Sequence, residues 1–128
     1  MNKSQNKVKK YLKERGWDKL HPVDLAKSIM IEGAELLEIF QWDASRNKKE
    51  IDAEQLGNIK KELADVMIYC LQMGVILNLD IDKIIDEKLV KAKEKYPAHL
   101  FTKKNALEND TDKIYKSIKQ SYRKGRNK

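Results

Sequence analysis

The chain has 128 residues, of which 41% are hydrophobic and 37% are charged. This length suits one domain with one core, and the composition excludes an intrinsically disordered chain. The formal net charge is +7, but residues 111–128 hold seven Lys or Arg and one Asp, so +6 of that charge lies in the tail. Residues 1–110 are therefore nearly neutral, which argues against a nucleic-acid-binding role for the domain itself.

Several features of the composition predict an all-α protein of the cytoplasm. Only two Pro and five Gly are present, and no alternating β-branched runs occur. The single cysteine, Cys70, forms no internal disulfide and is predicted to be a small buried hydrophobe. The N-terminus has no apolar signal-peptide core, and the apolar run 66–79 is too short to span a bilayer.

Two helices are predicted in the N-terminal third of the chain. The first covers about residues 4–15 and ends at Gly16, because glycine readily adopts the left-handed conformation of a helix C-terminus. The second covers residues 23–41 behind Pro22, whose missing N–H costs nothing in a first helical turn. Its apolar stripe comprises Leu25, Ile29, Leu36 and Phe40.

The second helix carries three glutamates at helical spacing. At about 100° per residue, Glu32 projects into the apolar stripe between Ile29 and Leu36. Glu35 and Glu38 step progressively to one side of it. A carboxylate in apolar surroundings needs a cation, a hydrogen-bond network or a proton, so Glu32 is not explained as a solvated surface residue.

A polar loop over residues 43–53 leads to a third helix over residues 52–78. Its first half is amphipathic, and its second half, VMIYCLQMGVIL, is apolar almost all round. A helix that is apolar on every side is predicted to be buried on every side, either centrally or at a subunit interface. We therefore expect at least a homodimer. Glu62 and Asp65 stand where the amphipathic half becomes the apolar half.

These two acidic pairs predict a metal site if the second and third helices pack together. Residues at i and i+3 share one face of a helix, so four carboxylates would converge from Glu32, Glu35, Glu62 and Asp65. Mg²⁺ prefers such oxygen ligands, and Mn²⁺ is a substitute. The alternative is that these are structural carboxylates, paired with lysines of the fourth helix.

The fourth helix is predicted to run from Asp80, a good N-cap residue, to Lys95, and to end at Tyr96-Pro97. An extended segment over residues 98–110 and a last amphipathic helix over residues 111–123 follow. Residues 124–128 are predicted to be disordered. The expected organisation is a domain over residues 1–109 and a basic C-terminal extension over residues 110–128.

Three segments together resemble a known family. EGAELLEIFQW, KKELADVMIYC and a Lys-rich helix that ends in KYP are similar to the MazG-like nucleoside triphosphate pyrophosphohydrolases. Within that all-α group the chain is most similar to the small dCTP-pyrophosphatase type, over about residues 17–100. The resemblance implies a four-helix core in a homodimer or homotetramer. It also implies Mg²⁺-dependent cleavage of a (deoxy)nucleoside triphosphate, dCTP-like by preference, to monophosphate and pyrophosphate in nucleotide-pool cleaning.

The resemblance also implies roles for individual residues. The metal ligands would be Glu32, Glu35, Glu62 and Asp65. The catalytic carboxylates would be Glu35 and Glu38, of which Glu38 could bind metal or orient a water. The residues expected to contact the substrate are His21, Trp42, Lys88, Lys91, Lys95 and Tyr96.

Each of these substrate contacts has a structural alternative. Trp42 could stack on the base, or it could cap the core at a helix end. His21 could contact the base, or it could be a satisfied loop histidine. The lysines could bind the phosphates, or they could form a solvated helix face.

One departure from the family and two further hypotheses remain. Ala92 stands where many relatives have Asn, which puts the substrate preference in question.

The chain could instead be a non-catalytic helical oligomer that binds nucleic acid through its basic tail, since clustered Lys and Arg bind phosphate backbones. Four acids near the core favour the enzyme, because without a metal they would repel phosphate. A third hypothesis is a related all-α hydrolase that acts on dUTP or an oxidised base.

Overall fold

A computed structural model describes residues 1–42, 50–102 and 108–126 of the chain. Within these ranges all regular structure is helical and no strand occurs, so the all-α prediction is confirmed. The α-helices are α1 (Lys3–Glu14), α2 (Pro22–Glu38), α3 (Ala53–Ile76), α4 (Ile81–Lys95) and α5 (Glu108–Arg126). A short 3₁₀ turn spans Ala98–Leu100. The predicted loop over residues 43–53 lies mostly outside the described residues.

The chain divides into two compact units, Met1–Asp82 and Lys83–Lys128. The first unit contains α1, α2 and α3, and within it α3 packs against both of the other helices. The second unit contains most of α4 together with α5. The four-helix core and the division of the chain after residue 109 stay predictions.

Helix α1 ends as its sequence predicts. Gly16 has a φ of 67°, in the left-handed region. Its N–H donates to the Lys13 carbonyl at 3.2 Å, and the N–H of Trp17 donates to the Leu12 carbonyl at 2.9 Å. These two bonds form a Schellman motif, which satisfies carbonyl groups that the end of a helix leaves unpaired.

Side-chain caps set the starts of the next two helices. Nδ1 of His21 accepts the N–H of Val23 at 3.3 Å, with Pro22 in the first position of α2. Oδ1 of Asp52 accepts the N–H of Gln55 at 2.8 Å and caps α3. Such caps pair N–H groups that have no partner within the helix. Helix α2 ends three residues earlier than predicted, where its last turns tighten to i→i−3 bonds.

A buried glutamine joins α1 to the connection between α3 and α4. Gln5 is fully buried. Its Nε2 donates to the Leu79 carbonyl at 2.6 Å, and its Oε1 accepts the N–H of Ile81 at 3.3 Å. Because both ends of the amide are paired, the buried polar group is satisfied, and it ties the first helix to the turn that begins α4.

The second half of α3 is not buried on every side within the single chain, so the predicted central position is wrong, whereas burial at a subunit interface stays a prediction. Met67 is 56% exposed, and Leu77 is also exposed. Cys70 is exposed as well, so the predicted burial of its thiol is wrong in the same way. The physical reason is that, among the described residues of the first unit, α1 and α2 cover only part of the circumference of α3.

The C-terminal region also differs from the prediction. Within the predicted extended segment, Ala98–Leu100 form a 3₁₀ turn and α5 begins at Glu108, so the prediction is wrong at these residues, and residues 103–107 lie outside the described ones. Residues 124–126 continue α5, so the predicted disorder there is wrong. The helix is longer than its sequence suggested because aromatic side chains along it pack on the end of α4, a tertiary contact that overrides a highly polar local sequence.

No single helix among the described residues is long and apolar enough to cross a membrane, whereas α3 and α4 together, as a bent pair, have the necessary length and composition.

Candidate metal and nucleotide site

Carboxylates from α2 and α3 converge in the first unit. Glu32 and Glu35 lie one turn apart on α2, and Glu62 lies on α3. One oxygen from each of the three lies within 4.8 Å of the others. We call these three residues the carboxylate cluster. The i, i+3 spacing places the two α2 carboxylates on one face, and the packing of α2 on α3 adds the third.

The carboxylate cluster is electrostatically unfavourable by itself. The Glu62 side chain is only 14% exposed, and its Oε2 is buried with no hydrogen-bond partner among the described residues. Its Oε1 lies 3.8 Å from Nζ of the exposed Lys61. Two like charges about 5 Å apart repel by about 3 kcal/mol at an effective dielectric constant near 20. A hard divalent cation would relieve that repulsion and satisfy the buried oxygen, so the donor set fits such an ion.

The other two predicted acids lie outside the carboxylate cluster. Asp65 is one turn beyond Glu62 and half-buried. It is not a member of the group within 4.8 Å, but it lines a neighbouring pocket. Glu38 is exposed and is likewise outside the group. The structure therefore brings together three of the four predicted metal ligands and leaves Asp65 beside them.

The pocket that Asp65 lines has a volume of about 450 Å³ and lies between α1 and α3. We call it the α1–α3 pocket. Its lining residues are Lys7, Val8, Tyr11, Asp65, Ile68, Tyr69 and Gln72. Cζ of Arg15 lies 3.9 Å from the centroid of the Tyr11 ring, and the Trp17 ring meets that ring edge-on, with centroids 6.0 Å apart. Two neighbouring side chains therefore contact the tyrosine.

Sequence reasoning did not find this pocket. It gave no site role to the lining residues other than Asp65. A usable signal was present, because Asp65, Tyr69 and Gln72 recur at spacings of four and three residues on one face of α3. The contribution of α1 could not be predicted, since nothing local indicates which face of α3 it covers.

His21 and Trp42 occupy different surroundings. His21 is exposed, and its ring nitrogen Nδ1 is engaged in capping α2. Trp42 is 85% exposed. The interpretation that Trp42 caps the core is therefore wrong for the single chain, and its ring face is open to a ligand.

The cationic candidates belong to the second unit. Lys88 and Lys91 are exposed on α4, whereas Lys95 is half-buried. Nζ of Lys95 lies 5.2 Å from the Tyr96 ring centroid, within cation–π range. Partial burial raises the pKa of the Tyr96 hydroxyl, and the neighbouring Tyr115 hydroxyl raises it further.

The fold and the site together define the class of this protein. It is an all-α protein with a candidate cation site at the carboxylate cluster, beside the α1–α3 pocket. Residues 27–112, which contain all four predicted ligands, match the MazG-like family, and the chain belongs to that family. The chain is also 30% identical over 90 residues to dCTP pyrophosphatase 1 of Rattus norvegicus. The alignment covers 68% of this chain and 53% of the relative, so the chain spans about half the length of that protein.

Proposed function

We propose that the protein is a divalent-cation-dependent nucleoside triphosphate pyrophosphohydrolase. The observation that carries the proposal is the carboxylate cluster, in which three carboxylate oxygens lie within 4.8 Å and one side chain is largely buried. Membership of the MazG-like family supports it, as does the similarity to a protein named dCTP pyrophosphatase 1. Mg²⁺ is the proposed cation, with Mn²⁺ as a substitute.

In this proposal Glu32, Glu35 and Glu62 hold the cation, and Asp65 completes the set from the side of the pocket. When bound, the cation neutralises charge on the triphosphate and makes a water more acidic. Glu35 is the most exposed member of the carboxylate cluster, so it can orient the attacking water and take its proton, with Glu38 as the second candidate. The water oxygen bonds to the α-phosphorus, the bond to the α,β-bridging oxygen breaks, and pyrophosphate leaves.

The α1–α3 pocket is the proposed nucleoside subsite. Its volume lies within the range of about 300–1,000 Å³ that is common for small-molecule sites. Tyr11 and Tyr69 offer ring faces for stacking, and the nearly buried Gln72 amide offers one donor and one acceptor group for a base edge. A dCTP-like substrate is proposed from the name of the relative. Trp42 and His21 stay candidates for base contact.

The phosphate contacts are proposed on the second unit. Lys88, Lys91, Lys95 and Tyr96 would bind the triphosphate oxygens as cations and as a hydroxyl donor. The exposure of Lys88 and Lys91 leaves both ammonium groups free to reach an anion. Ala92 on the same helix offers no side-chain donor, so these contacts are expected to distinguish sugars poorly.

A product assay tests the proposed activity. We expect the protein with Mg²⁺ to convert a nucleoside triphosphate to equal amounts of monophosphate and pyrophosphate, with dCTP among the best of the common dNTPs and NTPs. EDTA should remove the activity, and Glu35→Gln should lower kcat/KM by more than about a hundredfold, since even supporting residues of metal sites cost 10–100-fold. The readout must separate pyrophosphate from orthophosphate.

Glu54→Gln is the matched control for this assay. It makes the same change at an exposed position of α3 outside the carboxylate cluster, and it should keep full activity. A folded wild-type protein that turns over no triphosphate would contradict the proposed function. That result would favour the second candidate, nucleic-acid binding through the exposed basic residues of α5.

We also propose that a second copy of the chain covers the exposed apolar faces of α2 and α3. Met30 is 72% exposed, Leu37 is similarly exposed seven residues later, and Leu63 and Met67 are exposed at i, i+4 spacing on α3. Monomeric proteins rarely leave such apolar surface uncovered. A homodimer, or a dimer of dimers, would bury it.

Light scattering after gel filtration tests this assembly. Wild type should have a mass of twice or four times the 15.0 kDa chain. Met67→Glu should shift it towards the monomer, because burying an unpaired charge at an interface costs about 3–5 kcal/mol. Asn58→Glu, at another exposed position of α3, should leave the mass unchanged. A monomeric wild type at micromolar concentration would contradict the proposal.

A further inference from the structure

Two aromatic residues of α5 hold the end of α4. The ring of Tyr115 stacks on that of Tyr96, with centroids 5.0 Å apart and planes at 19°. The ring of Tyr122 lies 4.7 Å below Nζ of Lys95. The two α5 tyrosines are seven residues apart, which is two helical turns, so both project from one face of the helix. Lys95 and Tyr96, which are consecutive residues of the KYP segment, thus each contact a different tyrosine ring of α5.

These contacts bury part of the Lys95 side chain and restrict its rotamers. Lys95 is half-buried, whereas Lys88 and Lys91 on the same helix are exposed. Its ammonium lies near two aromatic faces, at 5.2 Å from the Tyr96 centroid and 4.7 Å from that of Tyr122. A free lysine side chain has many rotamers, and ordering it on binding a ligand costs conformational entropy. Ring faces restrict the side chain without accepting a conventional hydrogen bond, so its three N–H donors stay available.

The contact with Tyr115 also affects the hydroxyl of Tyr96. Partial burial raises the pKa of the Tyr96 hydroxyl, and the Tyr115 hydroxyl adds to that effect, while Lys119 and Arg123 act in the opposite direction. The hydroxyl therefore stays protonated, as a donor, further into the alkaline range. Half-buried Ile114 and Ile118 lie one turn apart on α5.

We propose that Tyr115 and Tyr122 are positioning residues that fix Tyr96 and Lys95 for binding the triphosphate of the substrate. The inference rests on the proposed function, in which Lys95 and Tyr96 contact phosphate. Preorganised binding groups lose less conformational entropy when the ligand arrives, so the contribution of α5 falls on substrate affinity rather than on the chemical step. Helix α5 is then part of the phosphate subsite, although most of it lies beyond the residues that match the family.

Steady-state kinetics of full-length Tyr122→Leu and Tyr122→Phe test the role of the ring. Leucine keeps an apolar side chain but has no ring face, and phenylalanine keeps the ring without the hydroxyl. With dCTP or the best triphosphate substrate and saturating Mg²⁺, we expect Tyr122→Leu to raise KM about three- to tenfold, as the loss of one cation–π contact implies. Its kcat should stay within twofold, and Tyr122→Phe should behave as wild type.

A double-mutant cycle makes the test specific to the lysine. In a Lys95→Met background, the further change Tyr122→Leu should have no effect on KM, because the ring has no cation to hold. An additional rise in KM there would overturn the positioning role in favour of a general packing role. A lower KM in Tyr122→Leu alone would also overturn it, since the ring would then be withdrawing the lysine from the substrate.

The tyrosine contact has a readout that does not depend on activity. The ultraviolet absorbance change on ionisation of Tyr96 is isolated by subtracting the titration of Tyr96→Phe. Tyr115→Leu should lower the pKa of Tyr96 towards its usual range, and an unchanged titration would overturn the contact. If wild type turns over no triphosphate, the proposed function fails. If wild type is active but KM in Tyr122→Leu equals that of wild type, only the positioning role fails.

Discussion

Glu62→Gln should make the metal-free protein more stable and at the same time remove its metal-dependent activity. The carboxylate oxygens of Glu32, Glu35 and Glu62 lie within 4.8 Å of one another, so without a cation they repel. Removing one of the three charges should raise the free energy of unfolding by about 1 kcal/mol, allowing for solvent around the exposed Glu35. The loss of one ligand should lower kcat/KM more than about a hundredfold.

Urea unfolding with and without Mg²⁺ measures the stability part of this expectation, and the product assay measures kcat/KM. At a free cation concentration one hundred times its Kd, wild type should gain about 2.7 kcal/mol, because only the folded state presents the site. Glu62→Gln should gain far less. The protein concentration must be the same in every sample, since association also changes apparent stability.

Glu54→Gln serves again as the matched control. It lies in the first turn of α3, where a negative charge interacts favourably with the helix dipole, so its removal should cost about 0.3–1 kcal/mol. The two glutamates of one helix thus have effects of opposite sign. If Glu62→Gln lowers the stability of the metal-free protein, the carboxylate is stabilising by itself, and the cation site is contradicted.

Gly74→Ala should destabilise the first unit by about 1–3 kcal/mol, as overpacking of a filled core does. A Cβ at this position would lie 2.6 Å from Ile81 Cδ1 and 2.9 Å from Gln5 Nε2. The glutamine cannot move away freely, because its amide is bonded to the backbone at Leu79 and Ile81. The methyl group would therefore force apart the contact that joins α1 to the α3–α4 connection.

Gly57→Ala is the control on the same helix. Among the described residues, no neighbouring atom lies within 4 Å of the position that its Cβ would take. Alanine is the better helix former, so this variant should gain about 0.5–1 kcal/mol. Thermal or urea unfolding of the two variants should thus move in opposite directions from wild type. Equal stabilisation by both substitutions would show that the close approach at Gly74 does not constrain the protein.

Local patterns in the sequence were sufficient to predict the helices and the helical spacing of the acidic residues. Helical periodicity placed Glu32 in an apolar stripe, and Glu32 is indeed half-buried on α2. Gly16 ends α1 in the left-handed conformation, and Pro97 follows the end of α4, as their backbone preferences predict. These features depend on a few consecutive residues, so they can be predicted from one sequence without a structure.

Which side chains meet across helices was decided only by the tertiary structure. The i, i+3 rule treats Glu62 and Asp65 alike, yet packing of α2 on α3 brings Glu62 into the carboxylate cluster and leaves Asp65 in the α1–α3 pocket. The exposure of Met67 and the contacts of Tyr115 and Tyr122 with α4 also depend on which face each helix turns to its neighbour. Helical spacing is set by 3.6 residues per turn, whereas the rotation and separation of packed helices are set by contacts between residues far apart in the chain.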